Sequence, residues 1–324
     1  MEKKLIFSHH LEDFSKIFLA TFLVFICMLS TDLMKSEIFL LITIYFLDGG
    51  HVYSTLLEVV TDPEEVRKKY VWLVLLGSFF LNLFIHFFFK SYFFYYIFYF
   101  TIYHNMRQGL GITFLYRVGE KRSANFIKYS YYFLTLVPFI LFHMRPAFVS
   151  GKLSEQILKP IDLYQFFSSH ALESAFLIGL GIYVAGSLAI AGRLILQKNV
   201  RGFFSMLFFT VVYAYAFLIS RSEMKSYAVL IFSHAIPYYF LMEKRLGLTH
   251  KLNFMQKYAW FFLLIIFAIG GFLDSYQEEI ITFFDPMDSM AVALLTTPLI
   301  SHFIFDAIIW KRGNARFQTF VAIQ

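Results

Sequence analysis

The stretch YFLDGGHVYSTLLEVVTDPEEVRKK, residues 45–69, begins in an apolar run and ends in a charged loop. Between them sit Asp48, His51 and Glu58, two carboxylates and an imidazole inside a segment otherwise made of Ile, Phe, Leu and Val. Wound as a helix at about 100° per residue, Asp48, His51, Thr55 and Glu58 fall within about 80° of one another. The segment therefore has one oily face and one wet face, and the wet face carries acceptors suited to a cation.

The setting is a bilayer. Hydrophobic residues make up 59% of the 324, charged residues 15%, and the mean hydropathy is +0.63. A soluble domain does not hide that much apolar surface. Apolar runs of about 20 residues, the length that crosses a hydrocarbon core, recur along the whole chain. The pattern predicts spans near 15–33, 37–60, 70–89, 92–116, 125–144, 163–192, 201–220, 225–242, 257–274 and 287–310. The expected fold is all-α, a polytopic integral membrane helical bundle of about ten transmembrane helices, with residues 1–324 forming a single membrane domain. Met1 to Ser15 is polar, with Lys3, Lys4, His9 and His10, and no small-residue cleavage site follows the first apolar run, so a cleaved signal is not expected. Cys27, the one cysteine, excludes an internal disulfide and a thiolate metal site.

The net charge of +6 reads as topology and not as nucleic-acid binding. Lys and Arg gather in alternate loops: Arg67, Lys68 and Lys69; Arg117, Lys121, Arg122 and Lys128; Arg193, Lys198 and Arg201; Lys244, Arg245, Lys251 and Lys257; and finally Lys311, Arg312 and Arg316. The positive-inside rule puts both termini in the cytoplasm and the chain in a membrane such as the bacterial inner membrane. The loop at 145–160, with Arg145, Lys152 and Lys159 on the predicted outer side, runs against this. The 44 Phe and 21 Tyr are mostly expected as lipid-facing filler. The glycine stretches GLGITF (109–114) and GLGIYVAG (179–186) lie inside helices and are expected to mark close helix packing, since no strand precedes them as a phosphate loop requires.

Ionisable side chains inside membrane helices are costly and face a cavity or a partner. Four further clusters join the first. His104, Arg107, Gln108 and Gly111 share a helical face, and His170 and Glu173 stand one turn apart in SSHALESAF. His234 and Tyr238 are at i, i+4 in IFSHAIPYYF, where Pro237 bends the helix, and His302 and Asp306 are at i, i+4 in LISHFIFDAIIWKRG. A His and a carboxylate one turn apart can both ligate a metal, or the carboxylate can hold the imidazole N–H. His51, His104, His234 and His302 all lie roughly 13–20 Å from the cytoplasmic ends of their predicted helices, a single layer. His170, and with it Glu173, joins these metal ligands if the sixth helix is broken or re-entrant; otherwise His170 belongs to a substrate entrance or to no site. His86 and His143 read as interface residues, His250 as a loop residue, and Asp62, Glu64 and Glu65 as a turn with Pro63. Arg107 is expected as a counter-ion to Asp48 or Glu58.

Imidazoles with carboxylates and no thiolates suit non-haem iron or zinc. The expected ligands are His51, His104, His234 and His302, with Asp48, Glu58 and Asp306 as ligands or as supports behind them. Arg107 and Gln108 would orient the site and Tyr238 would donate a proton or hydrogen bond. Four or more intramembrane histidines, GGHVYSTLLE early and YHNMRQ mid-chain, give the sequence a motif style and topology that resemble the Brp/Blh family of bacterial membrane carotene-cleaving dioxygenases. The resemblance implies an iron held by histidines, here His51 and His104, and cleavage of a carotenoid. The sequence departs from the family at the first motif, where Val52 and Tyr53 follow the histidine, so the substrate is not carried over. The HxxxH and HxxHH boxes of membrane desaturases are absent.

Three functional readings follow. The first is a membrane metalloenzyme, an iron-dependent oxygenase or oxidoreductase acting on a lipid, an isoprenoid or another hydrophobic small molecule. The second is a proton- or cation-coupled transporter using Asp48, Glu58, His104 and Asp306 as a relay. The third is a haem protein with two axial histidines.

Overall fold

The computed structural model describes residues 10–30, 39, 41–115, 124–145, 163, 166–198, 200–284, 287–311 and 314. The basic residues 3, 4, 117, 121, 122, 152, 159, 312 and 316, His9 and both termini lie outside them, and with them the prediction for the termini. Every regular element among the described residues is helical. In chain order these are α1 (His10–Leu29), the π-helical segment π1 (Leu41–Gly49), α2 (Gly50–Thr61), α3 (Lys69–Phe88), α4 (Lys90–Leu115), α5 (Ala124–Phe142) and α6 (Ser169–Leu196). Then come α7 (Val200–Ala214), π2 (Tyr215–Ile219), α8 (Glu223–Thr249), α9 (Asn253–Lys257), α10 (Ala259–Ser275), α11 (Gln277–Phe283) and α12 (Asp288–Ile309).

The helices sit close to the predicted apolar runs, but about ten spans is corrected to three or four. Among the described residues α3, α6 and α12 are long and apolar enough to cross a membrane; α10 and α11 make a fourth only as one span bent by 58°. The rest fall short for identifiable reasons. The run at 37–60 is divided between π1 and a 12-residue α2. α4 carries His104, Asn105, Arg107 and Gln108 among its tyrosines, and α8 ends in Glu243, Lys244 and Arg245. α7 has 15 residues before it passes into π2.

The chain falls into two compact units. Unit one comprises Met1–Ile6, Thr21–Leu29 and Phe94–His234. In it α5 packs on α6, α7 and π2. α6 buries only Leu172, Tyr183 and Leu194 of its 28 residues, so it presents Leu177, Ile178, Ile182, Leu188 and Ile195 outward. Of its glycines, Gly179 and Gly186 lie against Leu141 and Phe133, while Gly181 and Gly192 face open space, as does Gly111 of α4. The glycine stretches are thus only partly packing devices. Arg145, which runs against the expected topology, closes π2: it donates to the carbonyls of Ser220 (2.9 Å) and Ile219 (3.4 Å), which a helix C-terminus leaves without intrahelical donors. His143 is held between the Tyr99 hydroxyl (2.6 Å) and the Phe139 carbonyl (2.8 Å).

Unit two comprises Phe7–Ala20, Ser30–Phe93 and Ala235–Gln324. α12 packs along α3 and α2, and α10 along π1 and α2. Asn82 donates to Thr296 (3.0 Å), and His86 meets Ser289 (2.9 Å), tying α3 to α12 through polar contacts at a buried seam. On the other side, two glycine pairs let backbones touch. A methyl on Gly49 would stand 2.8 Å from the Gly270 carbonyl oxygen, and one on Gly270 would stand 2.7 Å from the Gly49 carbonyl carbon. Gly50 lies against Phe267 and Tyr239, and Gly271 against Phe46. Gly49 itself is helical, with φ −55° and ψ −51°, so π1 runs into α2 without a break. Val59, Val71, Met242, Leu246, Leu263, Phe305 and Ile309 form the apolar core around α2.

Candidate metal centre

α2 positions the site. Its buried residues include His51, Ser54, Thr55 and Glu58, the wet face expected from the sequence, and in unit two that face meets α8 and α12. His51 is 1% exposed and His302 0%, and their rings stand edge to face, with centroids 4.6 Å apart at 86°. Tyr238 closes the group, its ring 5.4 Å from that of His51 and 5.6 Å from that of His302. Asp48 belongs to π1, whose wider winding shifts it from its place on an ideal α-helix; its Oδ1 is 3.6 Å from Nδ1 of His51. That Nδ1 also meets the Asp48 backbone carbonyl at 3.1 Å.

Behind His302, a hydroxyl network fixes the ring. Thr55 Oγ1 lies 2.7 Å from Nδ1 of His302 and donates to Asp306 Oδ1 at 3.1 Å. Tyr238 donates to the same carboxylate oxygen at 2.6 Å and touches Thr55 as well. Asp306 Oδ1 is itself 3.7 Å from Nδ1 of His302. With its own proton directed at Asp306, Thr55 accepts from His302. Oxygens facing Nδ1 in both histidines select the Nδ1–H tautomer and leave the lone pair on Nε2, the atom a metal takes. Two imidazoles so oriented, each with a carboxylate near its Nδ1, could hold a metal ion through Nε2.

One turn further along α2, Glu58 enters a different partnership. Arg245 donates from Nε to Glu58 Oε1 at 2.5 Å and from a terminal nitrogen to the Ile309 carbonyl at 3.2 Å. Its guanidinium carbon lies 5.1 Å from the centre of the Trp310 ring. Both charged side chains are almost wholly removed from solvent, Arg245 at 0% and Glu58 at 1% exposed. The predicted counter-ion, Arg107, instead lies exposed in unit one and donates to the Tyr132 hydroxyl at 2.9 Å. Beyond Glu58, Asp62 accepts from the backbone N–H groups of Glu64, Glu65 and Lys251 (2.9, 3.2 and 3.0 Å), and Thr61 meets Nε2 of His250 at 3.1 Å. The turn expected at Pro63 is present, and Asp62, Glu65 and His250 are buried in it and beside it.

The other predicted residues fall in unit one. His104 is buried in α4, and Gln108 is half-buried one turn on. His234 is buried in α8, its Nδ1 2.5 Å from the Leu230 carbonyl. His170 and Glu173 are exposed on α6, an unbroken helix from Ser169 to Leu196. Arg245 is the residue that sequence reasoning missed, because the apolar run ends at Met242 and Lys244 and Arg245 read as loop charges. A signal existed: Tyr238, Met242, Arg245 and Thr249 stand at i, i+4, i+7 and i+11, one helical face, and the segment between them is rich in strong helix formers.

Comparison of the chain with protein-family models, with curated proteins and with solved structures finds no match. The reading of the site therefore rests on its own geometry.

Proposed function

We propose that the protein resides in a membrane and is a metal-dependent enzyme whose unit two holds a divalent metal through His51 and His302. Asp48 and Asp306 act as ligands or as the groups that orient the two rings. The observation that carries this reading is the edge-to-face pair of buried histidines, each with a carboxylate one turn away. Isolated buried imidazoles need one hydrogen-bond partner; two of them brought together with oriented Nε2 atoms make a ligand pair. Non-haem iron is the proposed metal, with zinc as the alternative, and a lipid or isoprenoid the proposed substrate. Support for the membrane comes from three helices of spanning length and from the apolar surface of α6.

The test is metal analysis of detergent-purified protein with an absorption spectrum, wild type beside the double variant His51→Ala/His302→Ala. About one iron or zinc per chain, lost in the variant, is the expected result. Equal metal content in the two proteins overturns the site, and a Soret band reassigns it to haem. The same measurement on His104→Ala and His234→Ala tests the two further histidines of the sequence-derived set.

A proton- or cation-conducting role is the second reading. It is favoured by the length of the polar stripe on α2, which from His51 to Glu58 runs about 10 Å, further than one ion requires, and is continued by Asp62 just past the helix end. Absence of metal together with proton flux into liposomes, abolished in Glu58→Gln, would establish it.

A further inference from the structure

Unit one has a second polar centre, made of neutral groups. Among the described residues there is no hydrogen-bond partner for Asn105 Oδ1, for either amide atom of Gln108, or for the hydroxyls of Tyr131 and Tyr213, all of them buried atoms. Asn105, Tyr131 and Tyr213 are 5%, 0% and 1% exposed. These atoms come from three helices that converge. On α4, Asn105, Gln108 and Gly109 lie within about 100° of the helix circumference. Gly109 has no side chain because the Tyr131 hydroxyl of α5 and the Phe209 ring of α7 occupy the place that a methyl would take. The Tyr131 and Phe209 rings are 5.3 Å apart. Tyr213 stands one turn along α7 from Phe209 and is an electrostatic neighbour of Tyr131.

An unsatisfied buried hydroxyl or amide is a recurrent sign of a group that is satisfied by something outside the chain. Two phenols and two primary amides offer hydroxyl and amide donors and amide acceptors, and none carries charge. A charged ligand would be buried without compensation there, whereas a hydroxyl or carbonyl oxygen would be matched. We propose that unit one holds a binding site for the oxygen-bearing head of a neutral, otherwise apolar lipid, an alcohol or a ketone. The head would sit between Tyr131, Tyr213 and the amides of α4, and the apolar tail would leave past Phe209. The proposal does not depend on the proposed metal centre.

The probes are a diazirine-tagged hexadecanol and the equally tagged hydrocarbon, each presented to the protein in nanodiscs, with labelled peptides mapped by mass spectrometry. The alcohol is expected to label α4, α5 and α7 of the wild type. Tyr131→Phe/Tyr213→Phe should label at least tenfold less, since one net hydrogen bond corresponds to roughly a factor of ten in affinity. The hydrocarbon should label both proteins alike and weakly. Equal labelling by alcohol and hydrocarbon, or equal labelling of wild type and variant, overturns the proposal. Thermal melting of delipidated protein gives a second arm. An unchanged or raised Tm in the variant supports hydroxyls left empty for a ligand. A Tm lowered by several degrees means that protein or ordered water already satisfies them, and overturns it.

Discussion

Arg245→Met is the perturbation with the largest consequence worked from the structure. The guanidinium is 0% exposed and its partner Glu58 is 1% exposed. Methionine keeps the volume and most of the apolar contact of the arginine stem but removes the charge. Three effects follow. The Glu58 carboxylate loses its donor and stays buried, which costs about 3–5 kcal/mol when one member of a buried pair is removed. The Ile309 carbonyl loses a donor, an effect on the order of 1 kcal/mol. The stacking on Trp310 goes too, worth about 1 kcal/mol. The first effect decides the outcome. Glu58→Leu should be similarly severe, because it strands the guanidinium instead. The double variant Glu58→Leu/Arg245→Met strands neither. Replacing both members of a buried pair with apolar groups is often neutral or stabilising, so the double variant should lie within about 2 kcal/mol of wild type. The assay is reversible unfolding of the purified protein in mixed detergent micelles, followed by circular dichroism, for all four proteins. The expected coupling is at least ~2 kcal/mol, well beyond the ~0.5 kcal/mol scatter of independent sites. Additive effects, or single variants that each lose less than about 1 kcal/mol, would refute a buried ion pair joining α2 to α8.

Other outcomes follow from the same geometry. Thr55→Val removes the hydroxyl shared by His302, Asp306 and Tyr238 and should lower stability by about 1–3 kcal/mol, read in the same unfolding assay; if His302 holds a metal, metal content should fall too. Gly270→Ala drives a methyl into the Gly49 backbone and should cost about 1–3 kcal/mol, whereas Gly111→Ala, facing open space inside a helix, should raise stability by roughly 0.5–1 kcal/mol; melting curves of the two separate these signs. Arg107→Met, on the exposed face of α4, should leave metal content unchanged by elemental analysis. Asn82→Leu removes the amide that joins α3 to Thr296 of α12 and should cost about 1 kcal/mol in the same unfolding assay, since the Thr296 hydroxyl keeps its bond to the Val292 carbonyl.

How much of this was legible beforehand depended on range. The wet face of α2 follows from period alone, because neighbours one turn apart are fixed by helix geometry. His51, Thr55 and Glu58 were therefore found together. So was the pairing of His302 with Asp306. What sequence did not reveal was partnership across the fold: Glu58 meets Arg245, 187 positions away, and nothing local in either segment names the other. The error over Arg107 has the same origin, since a cation was sought within the apolar runs while the true one stood just past the end of one. The span count failed for a different reason. Hydropathy averaged over a window does not register that Leu41–Gly49 winds as a π-helix, or that α4 and α8 bury polar groups along one side.

The glycines and the polar stripe of α2 are best understood together. A helix that carries His51, Thr55 and Glu58 along one side has given up much of its apolar face, so its packing must come from elsewhere. Gly49 and Gly50 supply it, because bringing the backbone of α10 into contact at Gly270 and Gly271 replaces side-chain interdigitation with direct main-chain contact. That contact sits at the junction of π1 and α2, between Asp48 and His51. A methyl at Gly49 would push α2 from α10 where the two site residues are held, and it would shift His51 relative to His302, whose ring is fixed from α12 and α2 by Thr55 and Asp306. Gly49→Ala should thus lower metal occupancy as well as stability, while a cavity-forming change elsewhere on α10, Leu263→Ala in the apolar core, should lower stability by about 2–5 kcal/mol with occupancy kept. Elemental analysis of both folded variants separates the two effects. If occupancy falls equally in both, it follows stability alone and the glycine contact has no part in positioning the site.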